Sequence, residues 1–420
     1  MELKKYRLGD IAEIIGGVSY SPKDICTGGI RILRGGNIQN QHIELKTDDV
    51  FLPISYKNNI SQIYVGDTIL VASTGSVDVL GKAATCFQYT EDVQIGAFLR
   101  IIRPKADKYT MLISSALSSD YFKRYIKAQA KGTSINNITL GYLRDFEIYA
   151  PHDFTGLSHL SANIENKICL NRAINDNLEA MAKQLYDYWF VQFDFPNEEG
   201  KPYKSSGGAM VWNEKLKRKI PNGWTVETVG TYANCKSGYA IKSSDFKAKG
   251  IPVIKIGNIQ EDYTLNMNGC QYIDNNANKL FYVYQNDVVI AMTGATIGKF
   301  AIVPYSETGY FVNQRVGKFE LGNNPIKKMP YLINSLKIDY FRNQIFQLAS
   351  GCAQPNISAE QINNISLLYP STKILSVYNM KCKWMYEQIA NCRYQIDVLT
   401  KLRDKLLPLL MNGQASVNSD

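Results

Sequence analysis

The sequence feature that most constrains the fold is an internal duplication. Residues 30–38 (IRILRGGNI) return as residues 251–259 (IPVIKIGNI), just over half of the 420-residue chain further on. At the same offset Gly17 falls on Gly238. Solenoid repeats run to roughly 20–50 residues, so a repeat of this length predicts two complete domains.

The duplication continues along each half. Residues 66–75 (GDTILVASTG) resemble 286–294 (NDVVIAMTG), and residues 132–138 (GTSINNI) match 351–357 (GCAQPNI). Each copy then enters a helical segment. We therefore predict lobe 1 at 1–152, a central helix at 153–196, a linker with lobe 2 at 197–371, a distal helix at 372–413 and a tail at 414–420.

Composition limits the compartment and the class of partner. The net charge of +9 permits a polyanionic partner without requiring one. No run of about 20 apolar residues is present, and the N-terminus lacks an apolar signal core, so we expect a cytoplasmic protein without a membrane span. The eight cysteines and three histidines show no metal-ligand spacing, which predicts free thiols and no metal site.

Within each lobe the pattern predicts an α+β fold. Short β-branched runs closed by Gly, Ser or Asn predict strands at 30–33, 67–72, 98–102 and 148–150. Apolar periodicity predicts helices over 110–130 and 328–348. Thr139 and Ser358 are the predicted N-caps of two short helices.

Two long segments have apolar residues spaced by three or four, a period near 3.5 that favours winding of one helix about another. The predicted seam is Ile164, Ile168, Asn171, Ile174, Leu178, Met181, Leu185, Met385, Ile389, Cys392, Ile396, Leu399, Leu402 and Leu406. Antiparallel pairing would follow if the lobes lie at opposite ends, and about 30 residues would give a rod of about 45 Å. The alternative is that each helix packs on its own domain.

Lobes that alternate with seam-forming helices on a basic chain resemble the specificity (S) subunit of type I DNA restriction–modification systems. The motifs that carry the resemblance are at 34–38, 72–82, 178–195, 255–259, 291–299 and 399–408. The resemblance implies two pseudo-repeated α/β target recognition domains, separated by two long helices that form an antiparallel coiled coil. It also implies that each lobe reads half of a bipartite site in double-stranded DNA.

The same resemblance implies the partners. The helices would set the spacer and dock two methyltransferase (M) subunits, and motor-nuclease (R) subunits would complete the complex. S-adenosylmethionine, ATP and magnesium are then expected on those partner subunits, with no cofactor in this chain.

The residues themselves offer no catalytic signature. The Asn324-Pro325-Ile326 run is not the Asn/Asp-Pro-Pro-aromatic tetrad of adenine methylation. Residues 294–300 resemble a phosphate-binding loop but are one residue short between glycines, and Phe300 stands where Ser or Thr would bind magnesium. We therefore predict no catalytic residue, and an autonomous nuclease or methyltransferase is disfavoured.

Loops that differ between the copies are the best candidates for DNA contact, because the lobes should read different half-sites. The candidates are Tyr20, Lys23, Ser73, Thr74, Ser76, Lys82, Lys131, Thr133, Ser134, Asn136, Asn137, Lys242, Ser243, Thr293, Thr296, Lys299, Gln354 and Asn356. Lys82 and Lys299 are predicted to hold phosphates rather than to read bases. For any one of these residues the alternative is an ordinary solvated turn.

Two further interpretations remain open on the sequence. The aromatic residues at 186–195 either pack at the end of the helix or form part of a methyltransferase docking patch. The whole chain could also be a tandem adaptor that binds two protein or glycan ligands and no DNA.

Overall fold

The computed structural model describes residues 3–39, 41–76, 78–88, 92–129, 136–151, 155–349 and 355–411. The chain forms two compact units: unit 1 is Met1–Leu170 with Ile396–Asp420, and unit 2 is Asn171–Gln395. The boundary between them falls inside both long helices. No helix among the described residues is both long and apolar enough to cross a membrane.

Lobe 1 is a mixture of short strands and short helices. Its strands are β1 (Leu3–Arg7), β2 (Ala12–Gly16), β3 (Ile30–Leu33), β4 (Ile38–Gln39), β5 (His42–Ile43), β6 (Val50–Leu52), β7 (Thr68–Val71), β8 (Ser73–Thr74), β9 (Ala83–Thr85), β10 (Val93–Ile95), β11 (Leu99–Pro104), β12 (Asn136–Asn137) and β13 (Glu147–Pro151). Its helices are α1 (Leu8–Ile11), α2 (Thr110–Ser118), α3 (Asp120–Gln129) and α4 (Leu140–Arg144), followed by the long helix α5 (Thr155–Tyr186).

Lobe 2 has the same kinds of element. Its strands are β14 (Met210–Asn213), β15 (Arg218–Pro221), β16 (Thr225–Thr228), β17 (Cys235–Ser237), β18 (Ile251–Ile254), β19 (Tyr272–Ile273), β20 (Tyr282–Val283), β21 (Val288–Ala291), β22 (Phe300–Ile302), β23 (Tyr310–Val312), β24 (Val316–Phe319) and β25 (Ser366–Tyr369). Its helices are α6 (Val229–Tyr232), α7 (Met329–Lys337), α8 (Asp339–Ala349) and α9 (Ala359–Asn363), followed by the long helix α10 (Thr372–Met411).

The sheet topology repeats with the sequence. Lobe 1 has an antiparallel sheet in the order β2-β11-β7-β9, and lobe 2 has the corresponding sheet β17-β24-β21-β22. The duplicated run at 30–38 supplies β3, which pairs in parallel with β10, and its copy supplies β18, which pairs in parallel with β23. In the antiparallel sheets, all four residues of β7 and all four of β21 are buried, as expected for strands that are covered on both faces.

Two predicted helices are each broken in the middle. The single helix expected over 110–130 is two helices, α2 and α3, and the one over 328–348 is α7 and α8. At the first break the backbone of Ser119 is extended, and its hydroxyl accepts a hydrogen bond from the N–H of Phe122 at 3.2 Å. Ser119 therefore caps the start of the second helix. The predicted caps Thr139 and Ser358 are confirmed, since their hydroxyls accept from the N–H groups of Tyr142 and Gln361.

The predicted antiparallel pairing of the long helices is confirmed by the contacts in unit 2, and the two helices also contact one another in unit 1. In unit 1, Glu165 on α5 pairs with Arg403 on α10 at 2.8 Å. In unit 2, the Asn171 amide donates to Gln395 at 3.1 Å, and the Tyr378 hydroxyl donates to the carbonyl of Ala182 at 3.4 Å. Residue numbers on α10 fall as those on α5 rise, which is the signature of opposite directions.

Most predicted seam residues face inward. Ile164, Ile168, Asn171, Leu178, Met385, Ile389 and Cys392 are buried, and Ile174, Leu185, Ile396, Leu399 and Leu406 are half-buried. The prediction is wrong at Met181 and Leu402, which are 45% and 42% exposed. Ala182 and Arg403 are buried instead, because a helix with 3.6 residues per turn drifts away from a strict 3.5-residue pattern and the next inward position lies four residues on.

Candidate nucleic-acid interface

The residues that repeat most faithfully build turns. The Asn37 side chain accepts from the N–H of Arg34 at 2.8 Å and donates to the carbonyl of Glu44. Its copy, Asn258, accepts from the N–H of Lys255 at 2.8 Å and donates to the carbonyl of Asn266. These side chains replace backbone partners in a tight turn, which is the usual role of Asn in loops. The shared Gly-Asn-Ile motif therefore has the same structural role in both lobes.

The two loops that supplied most of the candidates meet in lobe 1. Strand β12 pairs with β8, which places Asn136 opposite Thr74 and Asn137 opposite Ser73. Ser76 is exposed one residue beyond Gly75. The other candidates of the second loop, Lys131, Thr133 and Ser134, lie outside the described residues.

Lobe 2 makes the same junction. Thr293 forms a β-bridge with Asn356, and the N–H of Gly294 donates to the carbonyl of Pro355 at 3.0 Å. Gln354 lies outside the described residues. We call residues 73–76 with 136–137, and residues 293–296 with 355–357, the loop pair of each lobe. Segments about 60 residues apart in sequence are thus joined into one surface in both copies.

The remaining candidates have less uniform environments. Lys23, Lys82, Lys242 and Ser243 are exposed. Tyr20 is half-buried against the apolar cluster that contains Ile30 and Ile32. Lys299 forms an ion pair with Glu261 at 3.0 Å, so a phosphate would have to compete with a carboxylate for that ammonium group.

The oxygens of two threonines in the lobe 2 loop pair are enclosed by protein. The hydroxyls of Thr293 and Thr296 have no hydrogen-bond partner among the described residues, although both atoms are buried. Buried hydroxyls normally find a partner, because desolvation without one is costly. Both lie where sequence reasoning placed base or backbone contacts.

Sequence reasoning missed one element of this surface, the turn that precedes β11 in lobe 1. The N–H of Gly96 donates to the carbonyl of Leu33 at 2.9 Å, and the N–H of Leu99 closes the turn onto Gly96 at 2.9 Å. The N–H of Ser73, in the loop pair, donates to the carbonyl of Phe98 at 3.0 Å. Phe98 itself is 68% exposed. We call residues 96–98 the lobe 1 turn.

The corresponding turn in lobe 2 has the same backbone bonds. The N–H of Asn313 donates to the carbonyl of Ile254 at 3.1 Å, and the N–H of Val316 donates to Asn313 at 2.9 Å. The N–H of Met292 donates to the carbonyl of Arg315 at 3.0 Å. We call residues 313–315 the lobe 2 turn. The sequence of this turn is Asn-Gln-Arg, whereas that of the lobe 1 turn is Gly-Ala-Phe. This difference could have identified the turn from the sequence, because polar and basic residues precede the strand in one copy only.

Repeated glycines allow the loop that follows β2 in lobe 1 (residues 17–20) or β17 in lobe 2 (residues 238–243), here called the early loop, to approach the turn. A Cβ on Gly17 would lie 2.2 Å from the carbonyl oxygen of Gly96, and one on Gly238 would lie 2.3 Å from that of Val312. Such contacts are far inside van der Waals distance, so only glycine allows this approach. The N–H of Gln314 then donates to the carbonyl of Tyr239 at 2.9 Å. The early loop therefore contacts the turn, and the turn contacts the loop pair.

The aromatic residues at the end of the first helix are mainly structural. Tyr186, Trp189, Phe190, Phe193 and Phe195 are buried in the core of unit 2, and the ring of Phe190 lies 4.8 Å from that of Tyr378. Burial raises the pKa of Tyr186 to about 12, so this phenol is neutral at ordinary pH. Tyr188 alone of the six aromatics in this segment is exposed, at 38%. The packing interpretation thus accounts for five of the six rings.

The outer face of α10 carries large apolar side chains that this packing does not use. Met380 and Trp384 are one helical turn apart and are 67% and 50% exposed. Among the described residues, no group of three or more His, Cys, Asp or Glu side chains is arranged to hold a metal ion.

These features define a class: a duplicated protein whose two α+β lobes present the same scaffold with different surface side chains, joined to an antiparallel helix pair. The family described as "Type I restriction modification DNA specificity domain" matches residues 1–180 and 221–377. The chain belongs to this family and is a specificity subunit of the type I kind.

Individual relatives agree with this assignment. The chain is 23% identical to the type I restriction enzyme MjaIX specificity subunit of Methanocaldococcus jannaschii, over 98% of this chain and 93% of that one. It is 23% identical to the type I restriction enzyme HindI specificity subunit of Haemophilus influenzae, over 72% of this chain and 76% of that one. The type I restriction–modification S subunit from M. genitalium superposes with a TM-score of 0.55 at 16% identity, covering 99% of this chain and 97% of that one, which shows a shared fold.

Proposed function

We propose that each lobe of this chain reads one half of a bipartite site in double-stranded DNA. The observation that carries the proposal is the pair of equivalent surfaces: both lobes join a loop pair to a turn through the same backbone bonds, yet they differ in the exposed side chains. Base edges are distinguished by side-chain chemistry, and the backbone only positions it. Two equal scaffolds with unequal side chains suit two unequal half-sites.

We further propose that the helix pair sets the spacing of the half-sites and docks two methyltransferase subunits, with motor-nuclease subunits joining them. In support, α5 and α10 are continuous over 32 and 40 residues. The exposed Met380 and Trp384 give α10 an apolar face, and exposed apolar patches commonly mark protein interfaces. The chain would then act without catalysis of its own, and S-adenosylmethionine, ATP and magnesium would be bound by its partners.

The DNA-reading proposal is tested by producing the chain together with a methyltransferase (M) subunit of a type I system from the same genome. The complex should select a split sequence from a library of randomised duplexes, and its affinity should fall steeply with salt because bound phosphates release counterions. A complex that selects no sequence contradicts the proposal. Salt-insensitive binding to a protein or glycan, with no DNA affinity, would instead favour the tandem adaptor.

The docking proposal has a matched pair of tryptophans in this chain. Trp384 is 50% exposed on α10, and Trp212 is 56% exposed on the β14–β15 hairpin. Trp384→Ala should weaken co-purification of the methyltransferase by roughly tenfold or more, as expected for an aromatic anchor worth at least about 2 kcal/mol. Trp212→Ala should leave it unchanged, and equal effects of the two substitutions would contradict docking through α10.

A further inference from the structure

The two turns have the same backbone but opposite side-chain chemistry. In lobe 1 the exposed residue whose carbonyl is tied to the loop pair is Phe98, which offers only an apolar ring. In lobe 2 the equivalent residue is Arg315, which is exposed and follows the exposed Gln314. A guanidinium group carries five N–H donors in a planar fork, whereas phenylalanine carries none.

The main chain of the lobe 2 turn is already committed within the protein. The N–H of Arg315 donates to the Asn313 side chain at 3.3 Å, and the N–H of Gln314 donates to Tyr239. Asn313 is 9% exposed and holds the turn from its buried side. The backbone at Arg315 is thus held at several points, and a well-anchored backbone lowers the entropy cost of placing its side chain on a ligand.

The guanidinium group of Arg315 makes no hydrogen bond within the part of the chain that the structure describes. Among the residues that the structure describes, it forms no salt bridge, unlike Arg31, Arg103 and Arg393, which each pair with a carboxylate. The carbonyl of Arg315 is bonded to Met292, the residue before Thr293 of the loop pair. An uncommitted guanidinium therefore stands beside the surface proposed to meet DNA.

We propose that Arg315 reads a guanine in the half-site of lobe 2, through two hydrogen bonds to O6 and N7 in the major groove, and that lobe 1 has no such contact at the equivalent place. This inference rests on the proposed DNA-reading function. Guanine is the base whose major-groove edge offers two adjacent acceptors, and arginine is the side chain that matches them with a fork. The apolar Phe98 fits a thymine methyl group instead.

The test uses the complex of the full chain with its co-purified methyltransferase, and a library of duplexes in which both half-sites are randomised. The wild-type complex should select a split site with a required G·C pair in at least one half. Arg315→Ala should lower the preference for that one pair by roughly 5- to 150-fold and leave the other half-site unchanged. Arg315→Lys should restore only part of the preference, because an ammonium group can donate to O6 and N7 but lacks the planar fork that fixes both bonds.

The controls separate this inference from the function on which it rests. Arg342→Ala removes an exposed arginine from α8 of the same lobe and should leave every position of the site unchanged. Phe98→Ala should alter only the other half-site. If the wild-type complex selects a split site but Arg315→Ala weakens binding uniformly and Arg315→Lys restores it, Arg315 is a phosphate contact and the inference is overturned. If the wild-type complex selects no sequence, the proposed function itself fails.

Discussion

The ion pair between Glu165 and Arg403 offers the sharpest test of how the helix pair is held in unit 1. Their side chains are only 9% and 6% exposed, and the carboxylate and guanidinium lie 2.8 Å apart. Burial lowers the pKa of Arg403, but the neighbouring Glu165 and Asp404 outweigh burial and raise it overall. The guanidinium therefore stays charged, and each buried charge of the pair is compensated by the other.

Arg403→Ala would leave the Glu165 carboxylate buried without its counter-charge. Removal of one partner from a buried pair costs about 3–5 kcal/mol. A unit of this size should then lose roughly 10 °C in Tm. The double substitution Glu165→Leu with Arg403→Met removes both charges and fills the space, and such replacements are neutral or stabilising by up to about 4 kcal/mol. The double variant should therefore be more stable than the single one.

The matched control is another ion pair on α10. Lys401 and Asp397 are similarly close, at 2.7 Å, but their side chains are 70% and 55% exposed. Lys401→Ala should cost no more than about 0.5 kcal/mol, because solvent screens an exposed pair.

The assay can separate the two units. All four tryptophans of the chain lie within 171–395, so tryptophan fluorescence follows unit 2, whereas far-UV circular dichroism follows both units. Loss of the Arg403 pair should appear first in circular dichroism. The reasoning is refuted if Arg403→Ala costs no more than Lys401→Ala, or if the double variant is as unstable as Arg403→Ala.

Two further predictions concern buried groups of unit 2. Asn379 is 3% exposed, accepts from the N–H of Tyr331 at 2.9 Å and donates to the hydroxyl of Tyr232 at 3.1 Å. Asn379→Ala should therefore lower the free energy of unfolding, followed by fluorescence, by about 2–4 kcal/mol. A loss below about 1 kcal/mol would contradict this account. Burial raises the pKa of Cys235 to about 12 and that of Cys382 to about 11. At pH 8 both thiols should therefore resist alkylation in the native protein and react only after unfolding, as peptide mass spectrometry can show; rapid native labelling would refute their burial.

The sequence predicted the scaffold well because the scaffold depends on local chemistry. Gly17 and Gly238 were paired by the repeat alone, and the structure gives both the same close approach to a carbonyl oxygen. The caps Thr139 and Ser358 were predictable because the capping hydroxyl and the N–H group that donates to it lie within three residues of one another. The breaks inside two helices were missed, because their apolar periodicity continues across the interruption.

Long-range placement was harder to predict. The seam prediction included Leu402 rather than Arg403, because an arginine in a helix is normally solvated. The burial of Arg403 depends on a carboxylate more than 200 residues away in the sequence. The turn at 313–315 was missed for a related reason: nothing in its own sequence shows that Met292 binds its carbonyl. The candidate loops were found from sequence only because the two copies differ there.

If the lobes read DNA as proposed, the way the turns are built would let the protein change the sequence that it reads. In both lobes the turn is fixed mainly by backbone N–H and carbonyl groups, which are present whatever the side chain. Phe98 and Arg315 are exposed, so exchanging one for the other removes little core packing and should cost less than about 0.5 kcal/mol. The side chains at these positions can therefore vary almost independently of folding stability, and the proposed recognition chemistry would vary with them. By contrast, a side chain at Gly17 or Gly238 would force the backbone to move, because its Cβ would lie 2.2 or 2.3 Å from a carbonyl oxygen.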